Sequence, residues 1–294
     1  MRVPAAFAAV PLLFIAALSV VAAGFVEAGS IEAGFVEDEQ RWREEYDDSL
    51  KGPDGWLSVA GLFWLHEGSN SAGSDPHSEI RLPAGSPVHA GVFRLGHGAV
   101  TWLPAHGAGV KVEPDTSDRP TVIKIGDLSL TAIRRADKTG IRLRDPNAPG
   151  RRAFRGTAWF PPEPSWRVKA KWVVLRKPKK VPITNILGMT EDEDCPGYAE
   201  WARGGRMYRL EPVLEGNVLF FMFKDATNAH TTYGAGRFLY ADGPENGEVV
   251  LDFNQAHNPP CAFTAYATCP LPPPQNRLAV AVNAGEKMDG HHGQ

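Results

Sequence analysis

Short apolar runs cut by Gly and Pro constrain this chain more than any other feature. From Gly55 onward helical periodicity is scarce. Turn signals such as Pro53-Asp54-Gly55, Glu67-Gly68, Gly96-His97-Gly98 and Gly126-Asp127 break the apolar stretches at strand length. With 25 Pro and 30 Gly among 294 residues, the composition argues against a helical bundle. Trp166-Arg-Val-Lys-Ala-Lys-Trp172 alternates apolar and charged residues, as a half-buried strand does. Tyr198 to Pro212 reads as a hairpin turning at Gly204-Gly205. Val218 to Phe223, Arg237 to Tyr240, Glu248 to Phe253 and Arg277 to Val282 extend the series. The expected fold is mostly β, an antiparallel sandwich or barrel architecture.

The N-terminus departs from this pattern. Arg2 precedes an uncharged apolar run from Ala5 to Ala23, and Val21-Ala22-Ala23 and Val26-Glu27-Ala28 offer small residues for cleavage. Residues 1–23 are therefore expected to be a signal peptide and the protein to be exported, to a periplasmic or extracellular space. The alternative is an uncleaved anchor, since about nineteen apolar residues nearly span a bilayer. Residues 24–50 read as a linker followed by a helix from Glu37 to Leu50, where Trp42, Tyr46 and Leu50 recur on one face. Two β-rich parts follow, 51–150 and 151–287, the first sandwich-like and the second barrel-like. Asp145-Pro-Asn-Ala-Pro-Gly150 marks the boundary, and residues 288–294 form a polar tail expected to be disordered.

Apolar residues make up 43% of the chain, enough to bury a core, and the net charge of −3 gives no general attraction to nucleic acid. There is no P-loop, no His-Glu-x-x-His and no Gly-x-Ser-x-Gly elbow. Gly96-His-Gly98 and Gly234-Ala-Gly236 lack the third glycine of a dinucleotide loop. Nucleotide, zinc-protease and serine-hydrolase chemistry are disfavoured, and no cofactor is indicated.

Export would make the three cysteines interpretable. Cys195, Cys261 and Cys269 allow three single bridges, and Cys261–Cys269, the nearest pair in sequence, is the one expected, stapling the Pro-rich loop. His257, Cys261 and Cys269, with Asp252 as a fourth ligand, also resemble a zinc set. Their spacing matches no standard knuckle, so no metal is expected.

Phe223-Lys-Asp225-Ala-Thr227, Thr232-Tyr233-Gly234, Arg237-Phe238-Leu239, Leu251-Asp252-Phe253-Asn254, Asn258-Pro-Pro-Cys261, Cys269-Pro270 and Asn276-Arg277-Leu278 together resemble domain-of-unknown-function family 1684. Leu143-Arg144-Asp145, Phe154-Arg-Gly156 and Trp159-Phe160-Pro161 extend the resemblance. It implies a shared fold and carries no catalytic residue. Within residues 57–135, Leu65-His-Glu-Gly68, Gly73-Ser74-Asp75, Ile80-Arg-Leu82 and Ser86-Pro-Val-His89 are similar to forkhead-associated β-sandwiches. Ser74 stands where those modules place an Arg on phosphate, so phosphopeptide reading is not implied.

Asp225, Asp252, Asn254 and Arg237 fall at strand ends, where scaffolds place ligand-handling groups. Asp225 and Asp252 are candidates for a carboxylate acid–base pair, and His257 with Cys261 for a nucleophile pair. Asx turns and an ion pair with Arg237 are the structural alternative for the two carboxylates. Arg142, Arg144, Arg151, Arg152 and Arg155 form a basic concentration suited to a carboxylate or phosphate, or else paired with acids such as Asp145 and Glu163. Arg176-Lys-Pro-Lys-Lys180 reads as a solvated turn. The ligand-binding candidates are Arg144, Asp145, Tyr233, Arg237 and Asn254. The expected function is binding of a small or polymeric anionic ligand, such as a cell-envelope component, with an unassigned hydrolase as the alternative. Membrane contact is expected only through the signal segment before its removal.

Overall fold

The structure, a computed structural model, describes residues 16–288, so the basic start of the expected signal segment and the tail from 289 lie outside it. Helix α1 spans Ala16–Lys51. The helix expected from Glu37 to Leu50 is its final part. The 24–36 stretch expected as a linker is helical as well; it is free of proline and continues the helix despite three glycines. Among the described residues no helix is long and apolar enough to cross a membrane.

The front half holds nine strands: β1 (Val59–Trp64), β2 (Gly68–Gly73), β3 (Ile80–Arg81), β4 (Gly91–Gly96), β5 (Ala99–Pro104), β6 (Val110–Val112), β7 (Val122–Ile125), β8 (Leu128–Arg135) and β9 (Lys138–Arg144). They form two sheets, ordered β1-β9-β8-β7 and β3-β2-β4-β5-β6. All pairings are antiparallel except β2 with β3. Phe93 and Trp102 from one sheet meet Leu130 and Ile141 from the other in a single core. Ser74, in the loop after β2, donates its hydroxyl to the Ser86 carbonyl at 2.9 Å.

Helix α2 (Pro149–Ala153) marks the passage to the back half. Its strands are β10 (Arg167–Thr184), β11 (Thr190–Arg203), β12 (Arg206–Leu210), β13 (Val213–Glu215), β14 (Val218–Phe223), β15 (Arg237–Ala241) and β16 (Glu248–Asp252). The sheets are ordered β12-β11-β10-β16 and β13-β14-β15. Hydrogen bonding leaves two separate sheets. The two sheets pack together, with β13 beside β11 and β15 beside β16. Trp172, Trp201, Phe221, Phe223 and Phe253 fill the space between. Each of these side chains contributes about 2 kcal/mol by leaving water.

Two local expectations change. Arg176–Lys180 is not a turn: it lies inside β10, where pairing with β11 shifts register between Val174 and Lys179. Arg277–Val282 is not a strand either and makes one parallel bridge, Lys224 to Arg277. Backbone bonds join Leu278 to Lys224 and Ala226 to Val280, and side chains hold the segment beyond them. The Val282 N–H donates to Asp225 Oδ1 at 3.2 Å, and its carbonyl accepts from Arg237 Nη2 at 3.0 Å.

Candidate functional site

Three distant segments meet around one cleft of about 330 Å³. Tyr46 and Leu50 come from α1, Trp56 and Arg135 from the front half, and Phe220, Tyr240, His257 and Cys269 from the back half. The α1 stripe read from the sequence thus forms a wall of this cleft.

Rings line that wall in sequence. Trp42 stacks on Tyr46 at 5.6 Å and 4°, and Tyr46 faces His257 at 4.9 Å. His257 stacks on Tyr240 at 5.8 Å, and Tyr240 on Phe220 at 4.7 Å. The Tyr240 hydroxyl donates to Glu215 Oε2 at 3.0 Å. His257 Nδ1 lies 3.0 Å from the Gln255 carbonyl, which makes Nδ1 the protonated nitrogen and leaves Nε2 an acceptor. Burial lowers the His257 pKa to about 4, so the imidazole is neutral at neutral pH.

The opposite end is basic. Arg135 donates from Nε to Thr268 Oγ1 at 3.0 Å and pairs with Asp115 at 2.8 Å, joining β8 to the back half. Arg142 lies over the Trp56 ring at 4.9 Å and is 7% exposed. Its Nε and Nη2 are buried without a hydrogen-bond partner. Burial, with help from Arg135 and Arg144, lowers its pKa to about 10, and Cys269 is among its electrostatic neighbours.

α1 is fastened by acids. Thr157 donates its hydroxyl to Asp47 at 2.6 Å, and Gln255 Nε2 donates to Glu39 at 3.2 Å. Glu39 is buried against Asp252, with which it shares a hydrogen bond. Burial, then the Asp252 charge, raises its pKa to about 7. Buried Glu286 accepts from the Asn258 N–H at 2.7 Å, and burial raises it to about 8.

Asp225 and Asp252 do not come together. Asp225 Oδ2 accepts from Arg237 Nη2 at 2.8 Å and its Oδ1 accepts from the Thr227 hydroxyl at 2.6 Å. Asp252 instead accepts from Asn254 Nδ2 at 2.9 Å and lies 3.5 Å from Arg167 Nε, on the edge of an open groove of about 620 Å³. Asn254 clamps the Glu163 backbone on both sides, accepting at 2.8 Å and donating at 3.1 Å. Arg237 also donates to the Val282 and Ala284 carbonyls. Arg144 donates to the Gly55 carbonyl at 2.7 Å and Asp145 accepts from the Asn147 N–H at 2.7 Å, so both fix loops. Arg151, Arg152 and Arg155 likewise bond loop acceptors, chiefly carbonyls, and not Asp145 or Glu163.

All three cysteines are free thiols in the structure, so the expected Cys261–Cys269 bridge is not formed there. The two residues are nonetheless adjacent: the Cys261 N–H donates to Cys269 Sγ at 3.0 Å, and the thiols hydrogen-bond to each other. Tyr233 donates to the Cys261 carbonyl at 3.1 Å and also approaches the Cys261 thiol. The side-chain partners of Cys261 are thus Cys269 and Tyr233, while His257 bonds Gln255.

Trp56, Arg135 and Tyr240 line the cleft without any motif in the sequence that marks them. The α1 stripe, His257 and Cys269 carried sequence signals, whereas the other lining residues converge through tertiary packing alone.

Fold and site together define a mostly β protein with an aromatic, helix-walled cleft and a buried basic end. The chain belongs to the family described as protein of unknown function (DUF1684), whose model matches residues 152–287. Among solved structures it is similar to an uncharacterised protein of Haloarcula marismortui determined by NMR in solution. The two are 31% identical over 48% of this chain and 81% of that one, with a TM-score of 0.41. No curated protein matches.

Proposed function

We propose that this is an exported binding protein for a small anionic ligand with an apolar body, held in the cleft between α1, Trp56 and the His257 loop. The observation that carries the reading is the Arg142 guanidinium, buried beside the cleft with two N–H-bearing nitrogens unpartnered. A buried cation without a full set of acceptors is costly, and a carboxylate or phosphate is the group that best completes a guanidinium. The rings of Tyr46, Tyr240 and Phe220 supply an apolar surface for the rest of the ligand, and about 330 Å³ suits a small molecule better than a polymer. In this reading the signal segment is removed, the protein works in the periplasm or outside the cell, and an oxidising space allows Cys261 and Cys269 to bridge. The alternative of hydrolysis by Asp225 with Asp252, or by Cys261 with His257, draws no support from their separate partners.

Thermal shift against matched pairs of aromatic or aliphatic carboxylates, phosphates and their neutral analogues tests the proposal. Anionic members should raise the melting temperature, and Arg142→Gln should abolish the rise. Equal shifts from charged and neutral analogues, or none, would defeat it. Cell fractionation tests export, and retention in the cytoplasm would remove that part.

A further inference from the structure

The two adjacent thiols are built asymmetrically. Cys261 is partly exposed, whereas Cys269 is 3% exposed and lines the cleft. Cys261 receives hydrogen bonds at sulfur from Cys269 and Tyr233, both of which favour its thiolate and lower its pKa. Cys195 shows the contrast: it is fully buried, its S–H donates to the Gly197 carbonyl at 3.2 Å, and burial raises its pKa. A thiol that is reachable and easily ionised, touching a second thiol that is shielded, is the arrangement thiol–disulfide exchange requires. Pro259 and Pro260 precede Cys261 and Pro270 follows Cys269, so the loop between them is held at both ends.

We propose that Cys261 and Cys269 form a reversible dithiol–disulfide couple that exchanges with small-molecule disulfides, Cys261 attacking and Cys269 resolving. In the first step the Cys261 thiolate attacks one sulfur of a disulfide RS–SR. A Cys261–SR bond forms, the S–S bond breaks and RS⁻ leaves. In the second step Cys269, after losing its proton to solvent, attacks the Cys261 sulfur. The Cys261–Cys269 bond forms and a second RS⁻ departs. The protein loses two electrons and two protons, and the external disulfide is reduced to two thiols. This activity stands apart from ligand binding in the cleft and does not depend on it.

The test treats the reduced full-length protein with oxidised glutathione and follows intact mass, with peptide mapping after acid quench. The wild type should lose two hydrogens with a bridge between Cys261 and Cys269. Cys269→Ser should stop at one stable glutathione adduct on Cys261. Cys261→Ser should take no adduct at Cys269, and Cys195→Ser should behave as wild type. Three unreacted thiols in the wild type, a bridge through Cys195, or an adduct at Cys269 in Cys261→Ser would each overturn the proposal. If the serine variants fail to fold, alkylation of the native wild type decides. Cys261 should react at least ~10-fold faster than Cys195 and Cys269, and equal rates would overturn it.

Discussion

Arg237 Nη2 lies 2.8 Å from Asp225 Oδ2, and both side chains are completely buried. The pair ties β15 to the irregular segment that ends the core, through Arg237 bonds to the Val282 and Ala284 carbonyls. Removing one partner strands a charge in the interior. Asp225→Ala should cost about 3–5 kcal/mol, whereas replacing both residues by apolar ones of similar volume should cost less than either single change. Chemical denaturation of the two singles and the double measures this. A double variant at least as damaged as the worse single would contradict it.

The pH response follows from three buried groups. Glu39 and Glu286 have pKa values raised to about 7 and about 8, chiefly by burial. Their contribution is complete below the usual carboxylate value and is lost as pH climbs through those values. Arg43, Asp252 and Gln255 face Glu39, with Arg167 beside Asp252. His257, lowered to about 4 by burial, acts oppositely: its contribution is present above the ordinary imidazole value and is lost as pH falls toward 4. Protection of the α1 amides, taken relative to intrinsic exchange at each pH, should therefore fall from about pH 4.5 to about pH 8. Glu39→Gln should flatten that slope, and an unchanged slope in the variant would count against the assignment.

Gly236 and Gly234 should differ sharply. Gly236 has φ +112, and a Cβ there would fall 2.5 Å from Pro272 Cγ and 2.8 Å from the Phe223 carbonyl oxygen. A Cβ on Gly234 would meet Ala229 Cβ at an ordinary 3.5 Å. Gly236→Ala should lose more than about 1 kcal/mol, and Gly234→Ala should stay within roughly 0.5 kcal/mol of wild type. Paired thermal melts settle the contrast, and equal losses would refute it.

Arg142→Met should leave the unliganded protein as stable as wild type or slightly more so, because it removes an incompletely paired buried charge while keeping an apolar chain beside Trp56. The same variant should lose the stabilisation that anionic ligands give. A drop of more than about 2 kcal/mol without ligand would show that Arg142 is structural.

Much of the fold was legible because strand alternation and turn chemistry are local. Trp166 to Trp172 alternates in burial as its residues do in polarity, and Gly204-Gly205 turns where two positive-φ residues are needed. The α1 stripe was readable for the same reason. The extended path through Arg176–Lys180 was not, since a run of cations looks alike in a turn and on an exposed strand. The site was less legible. Asp225 and Arg237 are polar residues at strand ends, which from sequence alone serve equally well as ligand groups or as partners for each other. Burial decided the matter, and burial is set by residues far along the chain. Arg135 and Tyr240 carry no local signature, because only their meeting across the cleft gives them meaning.

The composite origin of the cleft has an evolutionary consequence. The family match covers residues 152–287, and that portion alone supplies His257, Tyr240 and Cys269 but neither Tyr46 nor Arg135. A relative built from that portion only would lack the α1 and front-half walls of this cleft. For the binding proposed above, such a portion would offer the His257 wall without the faces that Tyr46 and Arg135 add.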